Sequence, residues 1–373
     1  MLLSDSSPRL ILYDARQRCW LLFRQPRQIL MAHSLSEVVP MLAEVQQQVE
    51  QGHYAAGFVT YEAAPAFDSA LEVRSPASSS PVPLLWFGLF NAPEVIDIAA
   101  SPQPLTLLQW QPTISDAEYS AALRTVKECI RRGDTYQVNY TFRLRASFAG
   151  DAWALFQQMI AAQGNGYGAF VQGDRFTICS ASPELFFEQR GQELISRPMK
   201  GTAARGVGPG DRHQADWLHH SEKNRAENVM IVDMMRNDMN RIAHVGSVQT
   251  TSLFDVEQYP TLWQMTSTVR CTTDAGLVEL FQGLFPAASI TGAPKARTMQ
   301  IIAQLETTPR HIYTGTIGYV APGAIAQFNV AIRTVLLDHG AQTAEYGLGS
   351  GIVWDSETGT EFEECLTKAK ILF

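Results

Sequence analysis

The apolar residues change their spacing abruptly between residues 130 and 138, and this change constrains the fold more than any other feature of the chain. Ser115 and Glu118 form a capping-box pair. Tyr119, Ala122, Leu123, Val126 and Ile130 then recur at helical spacing until Gly133 ends the run. From Gln137 the period becomes two: Val138, Tyr140, Phe142 and Leu144 share one face, and Gln137, Asn139, Thr141 and Arg143 share the other. A helix therefore leads into a strand with one polar side. The pattern recurs downstream. Strands are predicted over 167–171 and 175–180, joined through Gly173-Asp174. Two more span 312–320 and 326–337, separated by Pro322-Gly323, and Arg333 leaves the apolar face of the second. A last strand reaches Gly349-Ser350-Gly351. Helices are predicted over 35–51, 221–243, 294–306 and 360–372, with Gly52 closing the first and Pro294 opening the third. Strands paired through short turns and separated by helices favour antiparallel pairing over a singly wound parallel sheet, so the class is α+β.

With 373 residues, 46% of them apolar and 18% charged, the chain can bury a large core. A formal net charge of −8 argues against a broad phosphate-backbone footprint, so no nucleic-acid partner is expected and an anionic ligand needs a local basic pocket. The N-terminus lacks a basic segment followed by an apolar one, and no uninterrupted apolar run approaches eighteen residues, which predicts a cytoplasmic protein with no membrane association. Five widely spaced cysteines with no CxxC pair read as thiols in a reducing compartment. Proline and serine cluster over 75–83 and 102–112. A boundary near Pro112 separates an N-terminal α/β region, 1–112, packed into the same sandwich, from a second region, 113–373.

Lys200 lies in Arg197-Pro198-Met199-Lys200-Gly201-Thr202, sixteen positions after Glu184 of Ser180-Ala181-Ser182-Pro183-Glu184. A lysine before a glycine is ordinarily a solvated turn residue. A carboxyl group one hairpin away would make the pair a candidate nucleophile and proton donor. On the last predicted helix Glu361, Glu364 and Lys368 project from one side, which fits either a solvated ion pair or, with Glu227 from the 221–243 helix, a carboxylate set for a hard cation. Oxygen donors alone favour magnesium over zinc. Gly347, Gly349 and Gly351 suit a bulge or close turn, or a nest of backbone N–H groups. Gly292-Ala293-Pro294-Lys295 lacks the spacing of a phosphate loop. His219 and His220 carry no role, and Trp217, Trp263 and the methionines over 230–239 read as core filling.

The runs SASPE, RPMKGT, RAENVMIVDMMRND, SITGAPKART, YTGTIGYV, NVAIRT and GSGIVWDS, in this order from Ser180 to Ser356, resemble the chorismate-utilising enzymes over residues 113–373. The resemblance implies a four-layer α/β/β/α sandwich of two orthogonally packed, mainly antiparallel sheets with the active site between layers. It implies magnesium on Glu227 and Glu364, with Glu361 in or near that shell. It also implies chorismate contacts from Gln137, Thr202, Tyr313, Arg333, Gly349, Ser350 and Lys368, of which Arg333 offers a bidentate fork.

Two positions separate branches of the family. Isochorismate- and salicylate-forming members have a lysine base where this chain has Gln137, and glutamine cannot activate water at neutral pH. Anthranilate-forming members carry a small residue where this chain has Lys200, whereas members forming 4-amino-4-deoxychorismate carry lysine. The resemblance therefore implies catalysis by Lys200, as nucleophile at C2, and Glu184, as acid to the C4 hydroxyl. Ammonia would come from a separate glutaminase (amidotransferase) subunit, and a downstream aminodeoxychorismate lyase would lead to 4-aminobenzoate and folate. Anthranilate formation is the alternative, and a noncatalytic chorismate-binding scaffold a third reading. Gln264 stands where many relatives have histidine and cannot donate a charge-assisted proton.

Overall fold

The computed structural model describes residues 8–75, 80–98, 108–164, 166–206, 208–260 and 262–369, without the side chains of Pro209, Thr358, Thr360, Glu364, Thr367 and Lys368. These residues form two ten-stranded antiparallel sheets and nine α-helices, an α+β fold. The first sheet runs Gly292–Ala293, Gln137–Ser147, Thr343–Ile352, Thr334–Asp338, Phe176–Ser180, Ala169–Gln172, Arg9–Asp14, Cys19–Arg24 and Glu94–Ile96, with Gln111–Pro112 beside Gln137–Ser147. The second runs Gln28–Ala32, Leu85–Phe90, Tyr54–Val59, Thr316–Ala321, Ile325–Val330, Leu185–Arg190, Glu193–Arg197 and Leu262–Thr272. Met199–Ala204 continues the Glu193–Arg197 edge along Leu262–Thr272, and Gln249–Gln258 pairs with its other edge. Residues before 99 thus supply three strands to each sheet.

Three apolar clusters order the layers. Leu10, Leu12, Phe58, Ile178 and Ile317 pack between the sheets. The outer face of the second sheet is buried under the helices Leu35–Glu50, Glu222–Asn240 and Leu277–Leu284. The outer face of the first is buried under Asp116–Arg131, Ala152–Gln163 and Thr358–Lys368. Each fully buried Leu, Ile or Phe contributes about 1.5–3 kcal/mol. The capping box at Ser115 is present, its serine N–H donating to Glu118 at 2.8 Å.

The polar face of Gln137–Ser147 faces the other sheet rather than solvent: Gln137, Asn139, Thr141 and Arg143 are all buried. Thr141 and Arg143 find partners in the segment after the helix Lys295–Leu305, and the Asn139 amide donates to the Ile290 carbonyl at 3.2 Å. Glu306 accepts from the Thr141 N–H at 2.9 Å and its hydroxyl at 2.8 Å, and binds Arg310 through both oxygens, at 2.6 and 3.0 Å. Arg310 also donates to the carbonyls of Ile290 and Asn139, both at 2.8 Å, and to Thr314 Oγ1 at 3.4 Å, so all five guanidinium N–H groups are used. Its backbone N–H donates to Glu62 at 2.6 Å.

Two sequence expectations change. The segment 326–337 is not one strand but two, Ile325–Val330 in the second sheet and Thr334–Asp338 in the first. The chain changes sheet at Arg333, which has a left-handed φ of 51°. Trp217 is not core: it is 57% exposed, and Trp263 is half-buried against Arg205. The helix Glu222–Asn240 buries Asn228, Ile231, Val232, Met235 and Met239, which leaves Val229 exposed and Met230 and Met234 half-buried.

Replacing Glu306 by glutamine leaves the Arg310 charge buried without its counterion, and should lower unfolding free energy by about 3–5 kcal/mol in denaturant titration. The solvent-facing Arg24–Glu94 pair, at 2.7 Å, provides the control: Glu94→Gln should cost no more than about 1 kcal/mol.

Candidate active site

The two sheets are joined at a corner made by two crossing segments. Residues 181–184 carry the chain from Phe176–Ser180 to Leu185–Arg190, and residues 331–333 carry it from Ile325–Val330 to Thr334–Asp338. The crossings bind each other: the Ala181 N–H donates to the Arg333 carbonyl at 3.0 Å, the Val330 N–H to the Glu184 carbonyl at 3.0 Å, and the Ser182 hydroxyl to the Val330 carbonyl at 2.6 Å. Glu184 and Arg333 are thereby placed on one wall of a cavity of about 160 Å³ between the sheets.

Glu184 is 3% exposed, and burial pushes its carboxyl up to about 7. The Ser289 hydroxyl, donating at 2.5 Å, and the nearby Lys200 charge oppose that shift only in part. A carboxyl in this range is divided between acid and base forms near neutrality, as proton transfer requires. Arg333 is 9% exposed, and burial lowers its pKa from the ordinary value. Its Nη1 has no hydrogen-bond partner among the described residues, unlike any nitrogen of Arg310. A buried, unmatched guanidinium donor lining this cavity fits a planar anion such as a carboxylate.

Lys200 enters from the edge strand Met199–Ala204 and lines the same cavity. Opposite it runs Thr343–Ile352, whose Gly347, Gly349 and Gly351 present backbone to the cavity. None of the three has a positive φ, so they form a plain strand rather than a bulge or a nest. At Gly351 a β-carbon would press on Gln137 Nε2 and lie 3.1 Å from Lys200 Nζ, both ends of flexible side chains, whereas at Gly349 it would meet the Tyr140 carbonyl oxygen at 2.6 Å. Gln137 is 1% exposed, and its Oε1 has no partner among the described residues. Tyr313 lines the cavity beneath Arg143, whose guanidinium is 5.0 Å from the ring centre.

Glu227 of the helix Glu222–Asn240 and Glu361 of the helix Thr358–Lys368 also line the cavity. Glu361 is 3% exposed, accepts from the Ser356 hydroxyl at 2.6 Å, and has Lys223 at 3.8 Å. Two carboxylates in a lining that holds no histidine or cysteine among the described residues suit magnesium, which keeps several waters and takes few protein ligands. Among the described residues no group of three or more His, Cys, Asp or Glu gathers as a complete metal cage. The side chains of Glu364 and Lys368 lie outside the described residues.

The structure therefore brings Lys200, Glu184, Thr202, Tyr313, Arg333, Gly349, Glu227 and Glu361 to one cavity, with Gln137 behind Gly351. Ser350 is elsewhere. Its hydroxyl is 3.1 Å from Tyr119 Oη, on the helix side of the sheet, because alternate residues of a strand face opposite ways. Thr202 uses its hydroxyl on Gln264, at 3.1 Å. The residue sequence reasoning missed is Ser289, the hydrogen-bond partner of Glu184. It stood in the SITGAPKART run, but only the fold brings residues 105 positions apart together. Lys223, Asn224 and Tyr346 likewise join the lining.

Residues 94–373 match the family model described as chorismate binding enzyme. The chain is 39% identical over 262 residues to aminodeoxychorismate synthase component 1 of Klebsiella aerogenes, covering 69% of this chain and 58% of that protein. It is 36% identical over 258 residues to anthranilate synthase component 1 1 of Haloarcula marismortui, covering 68% and 52%. The match thus spans little more than half the length of these relatives. Anthranilate synthase component I from Streptococcus pneumoniae TIGR4 has the same fold, with a TM-score of 0.82 over 100% of this chain and 94% of that one, at 22% identity. The family match, over three quarters of the chain and the whole of the cavity, leads to one conclusion: the chain belongs to the chorismate binding enzyme family.

Proposed function

We propose that this chain aminates chorismate at C4, forming 4-amino-4-deoxychorismate, as aminodeoxychorismate synthase component 1 is named to do. The observation that carries this reading is the meeting of Lys200 with a Glu184 carboxyl pushed up to about 7 in a cavity whose Arg333 holds an unmatched donor. Glu184, as the acid, gives its proton to the C4 hydroxyl, which leaves as water. Lys200, as the neutral amine, forms a bond to C2 as the ring double bonds shift and C4–O breaks, and the resulting ammonium returns its proton to the Glu184 carboxylate. Ammonia next forms a bond to C4 as the double bonds shift back and the C2–N bond breaks; Glu184 gives its proton to the departing Lys200 nitrogen and takes one back from the new C4 ammonium. Arg333 holds a substrate carboxylate, with Tyr313 and the backbone at Gly349 beside it. Glu227 and Glu361, with Glu364 from the same helix as Glu361, would hold magnesium, which when bound neutralises the ring carboxylate.

Ammonia is supplied in this reading by a separate glutaminase subunit, consistent with the "component 1" in the relatives' names. Two of the chain's thiols are poor candidates for a glutaminase nucleophile: Cys179 and Cys271 are buried, and burial pushes the first well above the usual thiol range and the second to about 11. A lyase that removes pyruvate would consume the product on the way to 4-aminobenzoate and folate. Anthranilate formation is the second reading, favoured by the Haloarcula marismortui relative. It has no use for Lys200, because ammonia would add directly at C2. A scaffold that binds chorismate without consuming it would have no need of a carboxyl held near neutrality.

Incubation with chorismate, ammonium and magnesium should yield a product that an added lyase converts to 4-aminobenzoate; direct release of anthranilate instead would select the second reading. Lys200→Ala should lower formation of the 4-amino product by at least about 10²-fold, the lower end for a group acting directly in the chemistry. Intact-mass analysis of protein quenched with chorismate but no ammonia should show a substrate-sized adduct on wild type and none on the variant.

Because the acid form of Glu184 is the active one and burial raises its pKa, kcat/KM should fall as pH rises through about 7. Glu184→Gln should lose about 10²–10⁴ in rate together with that alkaline limb. A limb that persists in Glu184→Gln would assign the acid to another group.

A further inference from the structure

We propose that Gln264 is a positioning residue for Lys200: its side-chain amide straps the bulge that carries the lysine and so sets where the amine points. The inference builds on the Lys200 chemistry proposed above and concerns a residue to which that chemistry gives no role.

Along the edge strand, Met199 faces Thr266 and Thr202 faces Gln264. Three steps on one strand match two on the other, so one extra residue is accommodated at Lys200-Gly201, a β-bulge. Gly201 takes φ +93°, and a β-carbon there would lie 3.1 Å from Asn224 Cβ on the helix Glu222–Asn240. The bulge thus needs glycine next to the lysine. A bulge also takes backbone groups out of the ladder. Here the Gly201 carbonyl is satisfied by Gln264 Nε2, which donates at 2.7 Å, while Gln264 Oε1 accepts from the Thr202 hydroxyl at 3.1 Å. Both ends of one amide are therefore used on the two residues that follow Lys200.

Gln264 is 6% exposed and lines the same cavity. Its orientation is determined by the partners, because a carbonyl needs the amide nitrogen as donor. A glutamine suits this place for a further reason: it does not titrate, so the strap holds at any pH at which Glu184 is an acid. A histidine here offers one donor to Gly201 and changes charge near neutrality. Gln264 therefore places the amine and moves no proton, which leaves Glu184 as the single acid.

The test compares the full chain with Gln264→Met, which removes both bonds, and Gln264→His, which restores a donor towards Gly201. Two readouts separate this inference from the chemistry it builds on. Reductive methylation of Lys200, read by peptide mass spectrometry against the half-buried Lys127 outside the cavity as internal reference, reports the placement of the amine whether or not an adduct forms. Adduct formation from chorismate without ammonia, and the ratio of 4-amino-4-deoxychorismate to anthranilate with ammonium, report its use.

Gln264→Met should change the Lys200 methylation rate and lower adduct formation by about ten-fold each, the equivalent of one net hydrogen bond. It should also shift the product ratio towards anthranilate, keep the alkaline limb near pH 7, and regain part of the adduct in Gln264→His. Unchanged methylation and adduct formation in Gln264→Met, with a wild type that forms the adduct, would overturn the positioning role. So would loss of the alkaline limb at an unchanged product ratio, which marks a proton donor. A wild type that forms no adduct, with methylation still dependent on Gln264, would instead remove the nucleophile role of Lys200 and leave the strap in place.

Discussion

The buried pair of Glu306 and Arg310 is the interaction on which the rest of the interior depends. Two charges taken out of water are tolerated only when every remaining polar atom is matched. Arg310 meets that condition with five donors on five acceptors, and Glu306 by accepting also from Thr141. Burial works against the Arg310 charge, but Glu306 overrides it and holds the pKa above the ordinary value. Through these bonds the pair ties the strand Gln137–Ser147 to the carbonyls of Asn139 and Ile290 and to Glu62. A polar wall can therefore stand between two sheets whose other half is filled by Leu, Ile and Phe.

Ile290, whose carbonyl accepts from Arg310, also lines the cavity, so the matched Arg310 guanidinium borders a site built to receive something else. Arg333 and Arg310 are both nearly inaccessible to water, yet Arg333 keeps an unmatched donor and Arg310 keeps none. The difference comes from where each lies. Arg310 follows a helix and folds back on its own carboxylate four residues earlier. Arg333 sits at a strained left-handed position where the chain leaves one sheet for the other. The same corner removes Glu184 from water and pushes its carboxyl up to about 7, so one piece of backbone geometry sets both the anion donor and the proton donor.

Much of this was legible in the residues. Ser115 and Glu118 marked a helix start that the structure reproduces, and the period-two run from Gln137 marked a strand whose two faces do differ. Lys200 and Glu184 were singled out by their residue types and spacing, and they share a cavity. The side chain of Ser350 faces the helices, as its place predicts: between two glycines that face the cavity, the middle residue of a strand faces away. Trp217 reads as core filling in the sequence, but the buried side of the region is the 228, 231, 232, 235 and 239 stripe of the next helix. Ser289 and the sheet change at Arg333 carried no local signal, because both arise where segments more than a hundred residues apart meet.

Local sequence, then, determined what each segment is: where helices begin, which strands alternate, and which side chains have the chemistry to act as acid, nucleophile or anion donor. Capping, periodicity and side-chain functional groups are properties of a few neighbouring residues, and they survive without the fold. Tertiary structure alone decided the raised pKa of Glu184, the unmatched donor of Arg333, the approach of Gln137 and Lys200 to Gly351, and the bonds of the Gln264 amide to Gly201 and Thr202. Each of these depends on how much water is excluded and on which distant atoms fill the space, and both are set only when the two sheets close on one another.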